Sequence, residues 1–301
     1  MASMRASSFK VIVVLPAYNE QANISGLLQS ISKSLSDAHL DFQIIVVNDG
    51  SSDRTAEILK EQAAQLPLKV YTHDQNQGLG PTIRDGLGYA NQISNSKDVI
   101  VTMDADETQS PGLILRMVRM IQEGHDVVIA SRYQPGARVI GLSLHRRLIS
   151  YAASKLMRVV FPIRGVRDYT CGYRAYRGDA LSKALHAYGD RFVDQDGFQC
   201  MVDILLKMRR VPNLVFGEVP LILRYDLKQG ESKMRLFRTA RKTLLLLLDR
   251  RLGPSSQAGP TDGPEAKHRH QTNAQDSLDI RHPAGSDQAL PGGSAASRRT
   301  H

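Results

Sequence analysis

Two carboxylates one residue apart, Asp104 and Asp106, close the apolar run Val99-Ile100-Val101-Thr102-Met103. Side chains at i and i+2 of an extended segment share a face, so both acids can be presented to one divalent ion. Hard cations such as Mg²⁺ take a few carboxylates and leave positions for phosphates, which is how a protein holds a nucleotide diphosphate. Two acids in a surface turn spell the same pattern, so the rest of the chain has to decide between the two.

The elements around these acids read as βαβα. Val11-Ile12-Val13-Val14-Leu15 is a short apolar run ended by Pro16, as a buried parallel strand would be. Ala22 to Leu40 carries helical spacing through Ile24, Leu27, Leu28, Ile31 and Leu35. Strand Ile44–Val47 and helix Ala56–Leu66 follow, with Asp53 placed to cap the helix. A strand over 69–72, a helix over 81–91 opened by Gly78-Leu79-Gly80, strand 99–103, helix 113–123 and strand 127–131 complete the alternation. Such alternation predicts an α/β fold, an open and mostly parallel sheet with helices on both faces. In such a sheet ligands bind beyond the carboxyl ends of the strands. Three of those ends are chemically loaded: Pro16-Ala17-Tyr18-Asn19-Glu20, Asn48-Asp49-Gly50-Ser51-Ser52-Asp53 and Asp104-Ala105-Asp106. Crowded carboxylates repel, so Glu20, Asp49, Asp104 and Asp106 at one edge call for a cation or a donor-rich ligand.

Past residue 140 the pattern turns to longer helices. Residues 147–161 place Leu148, Ala152, Leu156 and Val160 along one stripe, 198–208 form another helix, and 214–225 an extended segment. Residues 233–252 read as a helix with Phe237, Leu244, Leu245 and Leu248 on one side and Arg235, Arg238 and Lys242 on another. It can lie in a lipid headgroup plane or dock on the domain with a solvated basic face. From Gly253 the composition cannot bury enough apolar surface to order itself, so 253–301 is expected to be a disordered tail with scattered, solvated histidines. The expected division is a flexible 1–9, a domain over 10–232 (split at 131/132 into a donor half and an acceptor half), the helix 233–252 and the tail.

The chain has 301 residues and a formal charge of +9, 42% hydrophobic and 23% charged, an ordinary globular composition. Between Arg132 and Arg174 stand Arg138, Arg146, Arg147, Lys155, Arg158, Arg164 and Arg167 against the single acid Asp168, and a second basic concentration spans 224–251. Polyanionic partners follow: nucleotide diphosphates, lipid phosphates or an anionic membrane face. No nucleic-acid motif with interleaved aromatics occurs and tryptophan is absent, which speaks against nucleic acid. No stretch approaches the roughly 20 apolar residues of a transmembrane helix, and the first ten residues lack a secretory apolar core. The expected location is cytoplasmic, at most peripheral on the cytosolic membrane face, with Cys171 and Cys200 as buried free thiols.

Pro16-Ala17-Tyr18-Asn19-Glu20, Asn48-Asp49-Gly50-Ser51-Ser52-Asp53, the loop 76–80 and Asp104-Ala105-Asp106 resemble the nucleotide-sugar half of a family 2 glycosyltransferase with the GT-A fold. Ala130-Ser131-Arg132-Tyr133, the segment 167–176 and Glu231-Ser232-Lys233-Met234 are similar to its dolichyl-phosphate mannose synthase branch. The resemblance covers about residues 10–250. It implies that Pro16, Ala17, Tyr18 and Glu20 line the nucleoside pocket and that Asp49 meets the base, unless Asp49 is a turn residue. It further implies that Asp104, Ala105 and Asp106 hold the ribose and a Mg²⁺ or Mn²⁺ ion bridging the diphosphate. Gln109 is a further metal ligand or a plain loop residue. Arg132 and Lys233 are candidates for donor and acceptor phosphates alike. Arg174 is another for the acceptor, its alternative being a buried salt bridge to Asp168. Asp203 stands where the family commonly shows Glu and is a catalytic candidate with shortened reach.

A hydroxyl acceptor usually needs a carboxylate base, whereas a lipid monophosphate is already anionic and needs positioning and charge stabilisation. The Gln-x-x-Arg-Trp acceptor motif of family 2 polymerising synthases cannot occur in a chain without tryptophan. The resemblance therefore implies an inverting, metal-dependent transferase moving a hexose from GDP-mannose or UDP-glucose to dolichyl or undecaprenyl phosphate. The alternatives are the same donor chemistry on a hydroxyl acceptor, such as a glycolipid or cell-envelope glycan precursor, and a non-catalytic nucleotide-sugar-binding subunit.

Overall fold

The structure is a computed structural model describing residues 9–142, 144–227 and 236–252. Its first half alternates strands Lys10–Ala17 (β1), Asp41–Asn48 (β2), Leu68–Thr72 (β3) and Val99–Thr102 (β4) with helices Ile24–Asp37 (α1), Thr55–Ala63 (α2) and Leu79–Ile93 (α3). Then come Leu113–Gln122 (α4), Val127–Ser131 (β5), Arg138–Ile140 (β6), Leu144–Val160 (α5), Arg174–Arg177 (β7) and Gly178–Tyr188 (α6). Cys200–Met208 (α7), Phe216–Pro220 (β8), Ile222–Arg224 (β9) and Leu236–Leu252 (α8) follow. Lys233 with its neighbours 231–234, the first eight residues and the segment 253–301 lie outside the described residues.

Seven strands form one sheet in the order β3-β2-β1-β4-β7-β5-β8. The first four are mutually parallel, β8 is parallel to β5, and β7 runs antiparallel between β4 and β5. This is the expected mostly parallel α/β sheet, with one reversed strand near its centre. Val11 to Leu15 are fully buried without alternation, so both faces of β1 are covered, as apolar runs in parallel sheets require. On α1 the buried residues Ile24, Leu27, Leu28, Ile31 and Leu35 recur at three- and four-residue steps, the stripe that glues the helix to the core. The pair β6-β9 forms a small separate sheet.

The stripe Leu148, Ala152, Leu156 on α5 faces outward: Leu148 is 69% and Val159 80% exposed, while Ser154, Met157 and the following Phe161 are buried. Leu244, Leu245 and Leu248 on α8 are exposed as well, with Leu246 and Leu247 turned inward. Both helices are amphipathic, but each leaves an apolar stripe exposed among the described residues. The β7 segment carries arginines at both ends, which masks it as a strand; helix α6 follows it directly, in a stretch to which the sequence reading assigned no element.

Candidate functional site

The loops after β1 and β2 are knitted together by their own motif residues. Asn19 N–H donates to Ser51 Oγ at 2.9 Å, Ser52 N–H to Asn19 Oδ1 at 2.8 Å, and Glu20 N–H to Thr55 Oγ1 at 2.9 Å. The N-cap of α2 is Arg54 and not the expected Asp53, which lies one residue earlier; Asp53 accepts from Thr55 N–H at 2.9 Å and Gln21 N–H at 3.2 Å and so ties the helix start to the first loop. Glu20 accepts from the Asn23 amide at 2.8 Å at the entry to α1.

Asp49 is buried and its carboxylate gathers a third loop. Gln77 N–H reaches Oδ1 and Gly78 N–H reaches Oδ2, each at 2.8 Å. His73 Nδ1 lies 2.8 Å from Oδ1, and its Nε2 lies 3.1 Å from Asp85 Oδ2 on α3. This Asp49–His73–Asp85 chain is a feature the sequence reading missed, because the residues are distant in sequence and belong to no short motif. Asp49 thus fixes the turn that opens α3. That turn needs glycine: Gly78 has φ +96°, and a Cβ on Gly80 would fall 1.7 Å from the Gln195 carbonyl oxygen. The close approach is sealed by Gly80 N–H donating to Asp196 O at 2.9 Å.

Leu79 and Ile83 of α3, Pro16 after the core of β1, and Thr102, Met103 and Asp104 at the end of β4 line a cavity of about 50 Å³, closed by Thr170, Gly172, Phe198 and Met201. Asp104 is held there by one side chain: Gln109 Nε2 donates to Asp104 Oδ2 at 2.6 Å while its Oε1 accepts from Asp104 N–H at 3.1 Å. Asp106 Oδ1 accepts from the hydroxyl and the N–H of Thr108 at 2.6 and 3.2 Å. Ala105 between them is buried, which anchors the turn. One oxygen of each acid is thereby pre-aimed. No cluster of three or more His, Cys, Asp or Glu able to hold a metal occurs among the described residues. Two carboxylates at a strand end nevertheless fit the way Mg²⁺ is held, by one or two acids with phosphates and water supplying the rest. Gln109, expected as a ligand or loop residue, is engaged in orienting Asp104.

Three charged candidates have different positions from those expected. Arg174 is 0% exposed, and its guanidinium donates to the carbonyls of Cys171, Met201 and Tyr169 at 2.8, 2.7 and 2.9 Å. It therefore cannot meet an acceptor phosphate, nor does it pair with Asp168. Asp168 belongs to Arg132, whose Nε and Nη2 reach its two oxygens at 2.8 and 2.7 Å. Burial disfavours both charges, but their mutual attraction and hydrogen bonds outweigh it, holding the carboxyl below its ordinary range and the guanidinium above its own. Arg132 Nη2 also donates to Thr170, a wall residue of the Asp104 cavity. Asp203 is 0% exposed and bonded to Lys207 Nζ at 2.6 Å and Arg250 Nε at 2.7 Å. Its carboxyl is sealed between α7 and α8 and unavailable for catalysis; burial pushes its pKa up. Cys171 and Cys200 are free, buried thiols.

Comparison with known proteins adds a second line of observation. The family model described as Glycosyl transferase family 2 matches residues 12–185. The chain is 33% identical over 227 residues to the dolichol-phosphate mannosyltransferase of Pyrococcus furiosus, covering 75% of this chain and 59% of that protein. It thus spans less than two thirds of that relative. Over 229 residues it is 31% identical to the polyprenol monophosphomannose synthase of Mycolicibacterium smegmatis, and over 226 residues 30% identical to the undecaprenyl-phosphate mannosyltransferase of Micrococcus luteus. Each alignment covers 75% of this chain, with 81% and 87% of the respective relatives. A solved glucosyl-3-phosphoglycerate synthase from Mycobacterium tuberculosis, in complex with Mn²⁺, UDP and glucosyl-3-phosphoglycerate, shares the fold with a TM-score of 0.59 at 22% identity, over 81% of this chain and 80% of that one. The family match begins in β1 and runs through the knitted loops, the two acids after β4 and the reversed strand β7, and by that extent the chain belongs to glycosyl transferase family 2.

Proposed function

We propose that the protein is a metal-dependent, inverting hexosyltransferase that moves mannose, or alternatively glucose, from a nucleotide diphosphate sugar to a dolichyl or undecaprenyl phosphate. The observation that carries the proposal is the pre-aimed pair Asp104 and Asp106 at the β4 end, with Asp104 lining a cavity beside Pro16 and α3. The three relatives named above, all mannosyl or phosphomannose enzymes of polyprenol acceptors, favour mannose and GDP-mannose.

A Mg²⁺ or Mn²⁺ ion held by Asp104 and Asp106 would supply positive charge against the leaving diphosphate. The chain's own work is positioning. Asp49 fixes the glycine turn so that Leu79 and Ile83 form one cavity wall. Gln109 keeps Asp104 in one rotamer. Arg132, locked by Asp168 at the Thr170 wall, adds positive charge beside the cavity for phosphate. A phosphate acceptor attacks C1 with no proton to remove, so a single displacement inverts that centre. The burial of Asp203 supports this acceptor over a hydroxyl, since this α7 carboxylate, the candidate base, is occupied by two cations.

No helix among the described residues is long and apolar enough to cross a membrane. The exposed apolar stripes of α5 and α8, beside Lys155 and Lys242, suit peripheral contact with an anionic bilayer instead.

Two measurements test the proposal. GDP and UDP, with and without Mn²⁺, should raise thermal stability, a nucleotide at 100 times its Kd adding about 2.7 kcal/mol. Radiolabelled sugar incubated with Mg²⁺ and undecaprenyl or dolichyl phosphate should yield a labelled lipid cleaved by mild acid, and Asp106→Asn should abolish it. Label entering only hydroxyl acceptors, or turnover unchanged in Asp106→Asn, would refute the assignment.

A further inference from the structure

His73 follows β3 directly, and its N–H donates to the Asn48 carbonyl at 2.9 Å, so its backbone continues the β2–β3 ladder. Its ring reaches two acids. Nδ1 lies 2.8 Å from Asp49 Oδ1, and Nε2 lies 3.1 Å from Asp85 Oδ2. A carboxylate accepts and does not donate, so each ring nitrogen meets its acid as an N–H donor. Arg84 Nε, 3.1 Å from the other Asp85 oxygen, closes a row in which acids and bases alternate. A ring held at both nitrogens cannot turn without giving up a contact, which makes it a strut between the β2 end and α3. The α3 end of the strut is itself fixed. Beside Asp85, a Cβ on Gly86 would fall 2.5 Å from Val14 Cγ1 and 3.3 Å from Val47 Cγ2, so the helix lies directly on β1 and β2.

The strut bears on one oxygen of Asp49 more than on the other. Oδ1 receives the His73 ring and the Gln77 N–H, while Oδ2 receives the Gly78 N–H. A carboxylate oxygen accommodates a pair of donors, so Oδ1 is filled and Oδ2 has capacity for another. The Asp49 side chain is 4% exposed, and its own N–H donates to the Ala17 carbonyl at 2.8 Å, which ties the acid to the first loop. A ligand donor arriving at Oδ2 then meets an acid whose orientation is set beforehand, and such preorganisation lowers the cost of binding.

We propose, on the transferase reading in which Asp49 meets the nucleobase, that His73 is a positioning residue for the donor: braced by Asp85, it holds Oδ1 of Asp49 so that Oδ2 is presented to the base. A merely structural brace would affect every ligand of the site together, whereas this role affects only ligands that carry a base. Full-length protein is titrated calorimetrically with GDP and with UDP in the presence of Mn²⁺, and with inorganic pyrophosphate and Mn²⁺ as a probe that lacks a base. His73→Leu removes the donors, and it should weaken whichever nucleotide binds by about tenfold while leaving pyrophosphate within about twofold of the wild type. His73→Asn, whose amide can stand in for Nδ1–H, should recover most of the loss. Because His73 acts through Asp49, adding His73→Leu to Asp49→Asn should cost nothing further. If circular dichroism shows His73→Leu unfolded, Asp85→Asn at the partly exposed end of the strut carries the test, with a smaller loss in the same direction. Binding of neither nucleotide by the wild type refutes the donor reading and this role with it. Nucleotide binding unchanged in His73→Leu and Asp85→Asn, or pyrophosphate weakened as much as the nucleotide, overturns the role of His73 alone and leaves the donor reading standing.

Discussion

Gln109 shows how one neutral side chain can govern a charged site. Its amide donates to the Asp104 carboxylate and accepts from the Asp104 backbone, so the acid is fixed from both ends by a residue five positions on. Replacing it by leucine keeps the volume and removes both bonds. Partners that orient metal-binding acids typically carry 10- to 100-fold in affinity, so Gln109→Leu should weaken Mn²⁺ binding by about that factor. Electron paramagnetic resonance of free Mn²⁺ during titration reads this directly. The thiols make a second residue-scale case. Burial pushes both Cys171 and Cys200 up to about 12, so at pH 8 only about one thiol in ten thousand is ionised. A thiol reagent should label neither in the native protein at pH 8 and both in denaturant; rapid native labelling would contradict their burial. At this scale the acids after β4 were legible because two carboxylates with one spacer are a local spelling. Arg174 and Asp203 misled because an arginine on three buried carbonyls and one on a phosphate are the same letter.

The loop 167–172 depends on the Arg132–Asp168 pair. Asp168 accepts from Arg132, Thr170 and Cys171, and Glu218 Oε1 in turn accepts from the N–H groups of Arg167 and Asp168 at 2.6 and 2.7 Å. Asp168→Asn breaks a buried pair and leaves its arginine without a counter-charge, so a loss of about 3–5 kcal/mol in denaturant unfolding is expected. The same carboxyl predicts a pH dependence. Its folded pKa lies below its ordinary value of 3.8, so its stabilisation is complete above that value and is lost as the pH falls through the folded pKa. The wild-type urea midpoint should therefore fall in acid by a portion missing from Asp168→Asn. Helix boundaries were legible wherever periodicity was strong, as in α1. The direction in which α5 faces was not, because periodicity identifies an apolar stripe without saying whether protein or another medium covers it.

The sheet as a whole was foreseeable from its repeated apolar runs; its order was not. Strand β7 pairs Val99 with Arg177 on one side and Val127 with Tyr176 on the other, and a four-residue strand that begins and ends in arginine gives no periodic signal. Yet this strand joins the group β3-β2-β1-β4 to β5-β8. A fragment ending at residue 131 would leave β4 with a bare edge and is expected to aggregate or to unfold without cooperativity, whereas one running through residue 252 should melt in a single transition, as calorimetry can compare. During translation, then, the ribosome releases the first four strands long before the one that shields them. For roughly seventy codons after β4 the nascent polypeptide has an open seam, and whatever keeps other chains from docking along it in that interval matters to the yield of folded protein.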